Sequence, residues 1–276
     1  GGCAYARNRA VELSSGRLLC LQDADDTSAP GRVAAQVAEL ASLPAAAAAR
    51  TLVGCDFVRE PAGSMPFYTE WMRGLRGDEL YLQQFRECTL ACPTWLLPRA
   101  VYDAVGGFAE TCEGLPDGAS VPEDIIFFLR HLEMGGLLAK VHAPLVAYRY
   151  ARDSTCMGIR RDTLQRVRLP FVERRVLRPW GGFTVWGYGR DGKKTLGAMS
   201  AETLALCREV CDVDDKKVGR LHVLPAAGGR KLRVVALEGA QPPFLVCVAS
   251  KRTDGGLEAN IASKGIAQGR QYIHFC

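Results

Sequence analysis

The chain has 276 residues, 48% apolar and 24% charged, with a formal net charge of +5, a balance that suits a soluble protein with a real core. That length holds one large domain or two ordinary ones. No apolar run reaches the ~18 residues of a membrane span, no apolar signal-peptide segment opens the chain, and so mild a positive charge implies only weak attraction to polyanions.

Eleven cysteines without a C-x-x-C pair read as reduced thiols of a cytoplasmic protein. Cys88/Cys92 and Cys207/Cys211 are spaced by four, one face of a helix. The chain begins on Gly rather than Met, which suggests a piece of a longer protein.

In chain order, AYARNRAVELSS (4–15) reads as a helix stopped by Gly16. A strand follows over 17–22, then the acidic stretch Asp23-Ala24-Asp25-Asp26. Pro30-Gly31 introduces a second helix, and the alanine tract 45–50 reads as a surface connection or helix extension. TLVGCDFVRE (51–60) is a strand and DELYLQQFRE a helical stretch. CTLACPTWLLPR is a strand broken at Pro93, and a short helix then ends at Gly106-Gly107.

After the polar loop ETCEGLPDGASV, PEDIIFFLRHLEMGG gives a clear helix. Ile125, Phe128, Leu129 and Leu132 form one apolar stripe along it. LLAKVHAPLVAYRY supplies one or two strands. Residues 157–181 form an arginine-rich helical linker, after which strands and helices alternate again to the closing QYIHFC. Such alternation predicts a parallel sheet in both halves.

Two carboxylates in a D-x-D spacing at the end of a buried strand grip a divalent cation from one side. Their hard oxygens suit Mg²⁺ or Mn²⁺, and the rest of the shell stays open for phosphates. The alternative is an acidic turn capping the helix after Pro30. Glu123 and Asp124 open the later helix, where acids are favoured by the dipole alone, or where one carboxylate is presented as a general base. Taken together, a metal-binding acidic loop and a separate base suit transfer of a group from a nucleotide diphosphate.

ARN…G…LQDADD and VGGFAE…PEDIIFFLRHLEMGGLL resemble, in order and spacing, the corresponding blocks of family 2 glycosyltransferases. PTWLLPRAVYDAVGGF, LVAYRY, FTVWGYGRDGKK, CDVDDKKVG and QYIHFC resemble those members of the family that galactosylate queuosine in tRNA. The resemblance implies a GT-A-type, Rossmann-like α/β domain over 1–156 with its N-terminal strands missing; the renewed alternation of strands and helices predicts a smaller Rossmann-like domain over 182–276. It also implies a UDP-sugar donor, a divalent metal and inversion at the anomeric carbon. By position, Asp25 binds the metal, Asp23 the metal or the donor ribose, and Arg7 and Asn8 face the nucleotide. Asp124 is the catalytic base and Glu123 supports the acceptor side.

The family pattern departs in two places. The strands that normally precede A-R-N, with part of the nucleotide pocket, lie outside this chain. Tyr148-Arg149-Tyr150 is followed by Ala151 where relatives place a metal-binding His. His142, expected on a neighbouring strand, reads as structural.

In the second half, Gly187-Tyr188-Gly189-Arg190-Asp191-Gly192 follows a strand and opens a helix, and Asp212 lies 20 residues beyond Gly192. This is the dinucleotide-binding fingerprint in its proper context, or a packing module whose glycines serve only the turn. Seven arginines (160, 161, 166, 168, 174, 175, 178) fall within 19 residues. That density suits phosphate contacts on a tRNA acceptor, with Tyr148, Tyr150 or Trp180 stacking on a base; a solvated helix face is the alternative. Other readings are transfer to glycan or lipid acceptors, a degenerate RNA- or partner-binding module, and, more weakly, a nicotinamide-dependent oxidoreductase.

Overall fold

The structure is a computed structural model that describes residues 2–115, 119–151, 158–249 and 253–275. Part of the polar loop at 116–118, the first residue of the expected linker, and the thiols of Cys156 and Cys276 lie outside the described residues. The chain divides into two compact units, Gly1–Leu164 and Gln165–Cys276. Among the described residues no helix is long and apolar enough to cross a membrane.

The first unit holds a five-stranded sheet in the order β1-β4-β3-β5-β2. Its strands are β1 (Leu18–Cys20), β2 (Thr27–Ser28), β3 (Thr51–Glu60), β4 (Leu96–Pro98) and β5 (Leu137–Arg149). Only β3 and β5 run parallel; β1/β4, β3/β4 and β2/β5 are antiparallel. This corrects the expectation of a parallel sheet. The antiparallel members are two or three residues long, too short for residue pattern to carry a direction, and their direction is set by the partner they meet. β3 carries the core: its first seven residues are all buried, as befits a strand covered on both faces.

The helices of this unit are α1 (Cys3–Glu12), α2 (Arg32–Ala41), α3 (Ala45–Ala48), α4 (Pro66–Gly74), α5 (Glu79–Leu82), α6 (Arg99–Val105) and α7 (Glu123–Glu133). Helix α5 is a single turn where a longer helix is predicted. The expected strand before Leu96 is instead a 3₁₀ turn at Cys92–Thr94, which suits a proline that cannot donate to a ladder.

Helix α7 is buried beyond the predicted stripe, with Ile126, Phe127 and His131 also inside. Its aromatic residues join Trp95, Phe108 and Tyr102: the Phe108 and Phe127 rings lie 4.8 Å apart, and those of Trp95 and Phe127 5.7 Å apart. Full burial of each such ring contributes roughly 1.5–3 kcal/mol, so the start of α7 is anchored firmly. His142 sits on β5 itself, not on a neighbouring strand. It falls at a bulge where the pairing jumps from Cys55↔Val141 to Asp56↔Pro144, and it is exposed.

The second unit begins within helix α8 (Arg161–Val172), which contains Pro170 and continues through a π-helical turn, Glu173–Leu177, into α9 (Arg178–Trp180). Its sheet has the order β11-β10-β6-β7-β9-β8, with β6 (Phe183–Trp186), β7 (Cys207–Asp212), β8 (Leu221–Leu224), β9 (Arg230–Ala236), β10 (Phe244–Val246) and β11 (Tyr272–His274). Five strands are parallel and β8 is an antiparallel edge. Cys207 and Cys211 both lie buried in this sheet, in β7 rather than on a helix. Helices α10 (Arg190–Ala198), α11 (Ala201–Leu206) and α12 (Gly256–Lys264) complete the unit.

Candidate active site

The acidic turn after β1 is fixed from beneath by helix α2. Arg32, 1% exposed, donates to the Leu21 carbonyl (2.7 Å) and to the Ser28 hydroxyl (2.9 Å), and through Nε to Gln36 (3.1 Å). Gln36 in turn donates to the carbonyls of Val53 and Thr94. A polar pair four residues apart on an otherwise apolar helix face was the available sign of this network. Gln22 closes the turn by donating to the Asp26 carbonyl (2.8 Å).

Arg7 joins this turn to the start of α7. One guanidinium nitrogen donates to Asp23 Oδ1 at 2.7 Å and another donates to Glu123 Oε1. The guanidinium also lies over the Phe108 ring, 5.5 Å from its centroid. The acidic loop and the Glu123-Asp124 helix start, a hundred residues apart in sequence, thus share one cation.

Asn8 serves a different end. Its Oδ1 accepts from the Tyr102 hydroxyl (2.7 Å) and the Phe108 amide (3.0 Å), and its Nδ2 donates to the Phe108 carbonyl (2.9 Å) and Glu110 (2.8 Å). Both donors and both acceptor sites of the amide are filled. Asn8 therefore clasps the loop after α6. Gly107 lies under the clasp with φ +73; a Cβ there would come within 2.9 Å of the Tyr102 hydroxyl and 3.2 Å of Asn8 Oδ1.

The carboxylates differ sharply in their surroundings. Asp25 is exposed, and its side chain makes no hydrogen bond or ion pair with any described residue. Asp26, only 7% exposed, accepts the Arg149 backbone N–H at Oδ1 (2.8 Å), while its Oδ2 is buried without a partner. Burial pushes Asp26 up to about 6, against the Arg149 hydrogen bond, and Asp23 and Asp25 add to the rise. Asp124 is half-buried, and its Oδ1 accepts the Ile125 N–H (2.8 Å). Burial first, then the charges of Glu123 and Glu87, raise it to about 7.

Asp26 was missed in the sequence, where it read only as a cap, because its burial depends on β5, more than a hundred residues away. Arg59 was missed as well. Its guanidinium is stacked among Tyr148 (4.1 Å), Phe57 (5.0 Å) and Tyr68 (5.5 Å), and its buried Nε has no hydrogen-bond partner. Tyr148, expected as a stacking platform for a base, is thereby engaged in the fold.

Among the described residues no three His, Cys, Asp or Glu side chains are grouped to hold a metal ion. What the turn offers falls short of a full set: the exposed Asp25 carboxylate and the second oxygen of Asp23 are hard donors, whereas Asp26 Oδ2 is buried. That donor chemistry fits a magnesium- or manganese-type ion sharing its shell with substrate phosphates.

The arginine-rich segment divides by exposure. Arg168 is buried, 4% exposed, with its guanidinium 5.8 Å from the Phe275 ring. Arg178 pairs with Glu202 (3.0 Å) and Glu173 (3.8 Å). Arg160, Arg166 and Arg174 are exposed.

Residues 1–106 match the family model described as glycosyl transferase family 2. The match spans Arg7, Asn8, Asp23 and Asp25, and ends before Glu123 and Asp124.

Proposed function

We propose, from a family 2 glycosyltransferase match that includes the acidic turn, that the first unit is the catalytic part of an inverting, metal-dependent glycosyltransferase. The observation that carries this reading is Arg7, held by Asp23 and Glu123 together, because it brings the turn and the α7 carboxylates to one place. The donor is a UDP-sugar, with UDP-galactose the choice favoured by resemblance, and the acceptor is a hydroxyl of queuosine in tRNA.

Asp124 removes the proton from the acceptor hydroxyl. The oxygen attacks the anomeric carbon, the bond from that carbon to the diphosphate oxygen breaks, and UDP leaves with the electron pair. A carboxylate held at about 7 is basic enough to take a proton and is still largely ionised slightly above neutrality. Asp25, with Asp23, would hold the cation, and the cation would supply stabilisation of the charge that develops on the leaving diphosphate. Glu123, fixed by Arg7, lines the acceptor side. Arg160, Arg166 and Arg174 supply exposed guanidinium groups for the tRNA phosphates.

The test is transfer by the full-length protein, given UDP-galactose, Mn²⁺ and queuosine-containing tRNA, with the tRNA nucleosides analysed by mass. Gain of one hexose on queuosine, lost in Asp124→Asn, is expected. Hexose on oligosaccharide or lipid acceptors but never on the tRNA would redirect the acceptor. No transfer to any acceptor would leave a binding module.

A further inference from the structure

We propose that the second unit binds a pyrophosphate-bearing nucleotide with an unphosphorylated ribose, in the crevice outside the ends of β6 and β10. The chain leaves β6 toward β7 and β9 on one side of the sheet, and returns to β10 and β11 on the other. The loops after β6 and β10 therefore part, and crevices of this kind are where open parallel sheets bind ligands. A cavity of about 400 Å³ lies there, lined in part by Trp186, Gly187, Gly189, Arg190, Asp212 and Lys217. Its size falls among small-molecule sites, roughly 300–1,000 Å³.

The three glycines of the turn separate the fold's needs from a ligand's. Gly187 has φ +111, and a Cβ there would sit 2.7 Å from Val248 Cγ2. A Cβ on Gly192 would lie 1.9 Å from the Gly187 carbonyl oxygen. Both are explained by the turn and by helix-on-strand packing. Gly189 is not: its φ of −90 and ψ of −166 suit any residue, and an added Cβ would meet nothing within 4 Å. The space it leaves belongs to the cavity, just where α10 begins without a side-chain cap. Backbone amides approached that closely suit the oxygens of a diphosphate; Arg190 stands exposed beside them, 3.7 Å from the buried Asp191 carboxylate that balances its charge.

At the far end Asp212 is fixed by the Tyr188 amide (2.7 Å) and the Asp214 amide (3.0 Å), with Lys217 Nζ 3.1 and 3.2 Å from its two oxygens. Asp214 lies 3.5 Å from the same amine. Two carboxylates against one ammonium leave this end acidic. Ribose hydroxyls can take Lys217's place there as donors, whereas a ribose phosphate would be repelled.

Calorimetric titration of the full chain with ADP, NAD⁺, NADP⁺ and UDP, in EDTA, tests the proposal. ADP or NAD⁺ is expected to bind at least about tenfold more tightly than NADP⁺. Gly189→Val is expected to weaken that binding tenfold or more and Gly189→Ala less, with the melting temperature of each variant unchanged. Binding of none of the four would overturn the proposal. So would binding that Gly189→Val leaves intact, or UDP binding alone that Asp25→Asn abolishes and Gly189→Val does not. NADP⁺ binding as tightly as NAD⁺ would overturn the assignment of the ribose end.

Discussion

The acidic corner of the first unit and the glycine crevice of the second both lie at strand ends, yet they treat their carboxylates in opposite ways. Asp212 is saturated: two backbone amides and Lys217 fill its oxygens. In the acidic corner Asp25 has no partner, Asp26 keeps one buried oxygen unmatched and Asp124 has a single backbone hydrogen bond. A saturated carboxylate holds a loop in place. Burial raises the pKa of Asp26 and of Asp124, and an under-partnered carboxylate is left available to protons or substrate. On the proposed readings, the difference separates a corner suited to chemistry from a crevice suited to recognition.

The sharpest way to break that contrast is Asp124→Asn, expected to lower turnover by roughly 10²–10⁴-fold without loss of secondary structure by circular dichroism. Wild-type activity should climb with pH through about 7 as Asp124 gives up its proton. A flat profile between pH 6 and 8 would remove Asp124 from the role of base.

Next in size is the stability effect of Arg7→Met, which strands Asp23 and Glu123 beside each other. A loss of about 2 kcal/mol in urea denaturation is expected, below the range for fully buried pairs because Asp23 is partly solvated.

A paired experiment then sets the two regions against each other directly. Asp212→Ala leaves the Tyr188 and Asp214 amides without their acceptor and should cost about 1–3 kcal/mol. Asp25→Asn should leave the urea midpoint unchanged while abolishing transfer. Equal destabilisation by the two would erase the distinction.

A last effect, of comparable size, is on the pH dependence of stability. Asp26 is raised to about 6 in the folded state, so the native protein holds a proton that the unfolded chain releases near pH 4. Its contribution is fully present below pH 4 and is lost as pH rises through about 6. Asp26→Asn keeps an oxygen for the Arg149 amide and needs no ionisation. It should therefore flatten the profile between pH 4 and 7 and stabilise the protein at pH 7.5 by about 1–3 kcal/mol.

Much of the fold could be read locally. Strand β3 falls on the predicted residues, α7 opens on Glu123 as expected, and the glycine turn of the second unit follows a strand and precedes a helix. What escaped depends on distant partners. The two-residue β2 exists only because β5 lies beside it, and β8 only because it pairs with β9. At the site, the residue types of the acidic turn and of the α7 start could be read, but their division of labour could not. Asn8 and Arg7 are neighbours in one motif, yet one is consumed by a loop near residue 108 and the other spans two acids. No local pattern distinguishes them, because the choice is made by residues a hundred positions away.

The shared guanidinium of Arg7 has one further consequence. An incoming divalent ion that drew Asp23 toward itself would release half of Arg7's grip and leave that arginine to Glu123 alone. Loading of the donor side would then be felt at the acceptor side through a single counter-ion, with no movement of the sheet. If the first unit works as proposed, such an arrangement would favour a compulsory order of addition, sugar nucleotide before acceptor, which product-inhibition patterns would reveal.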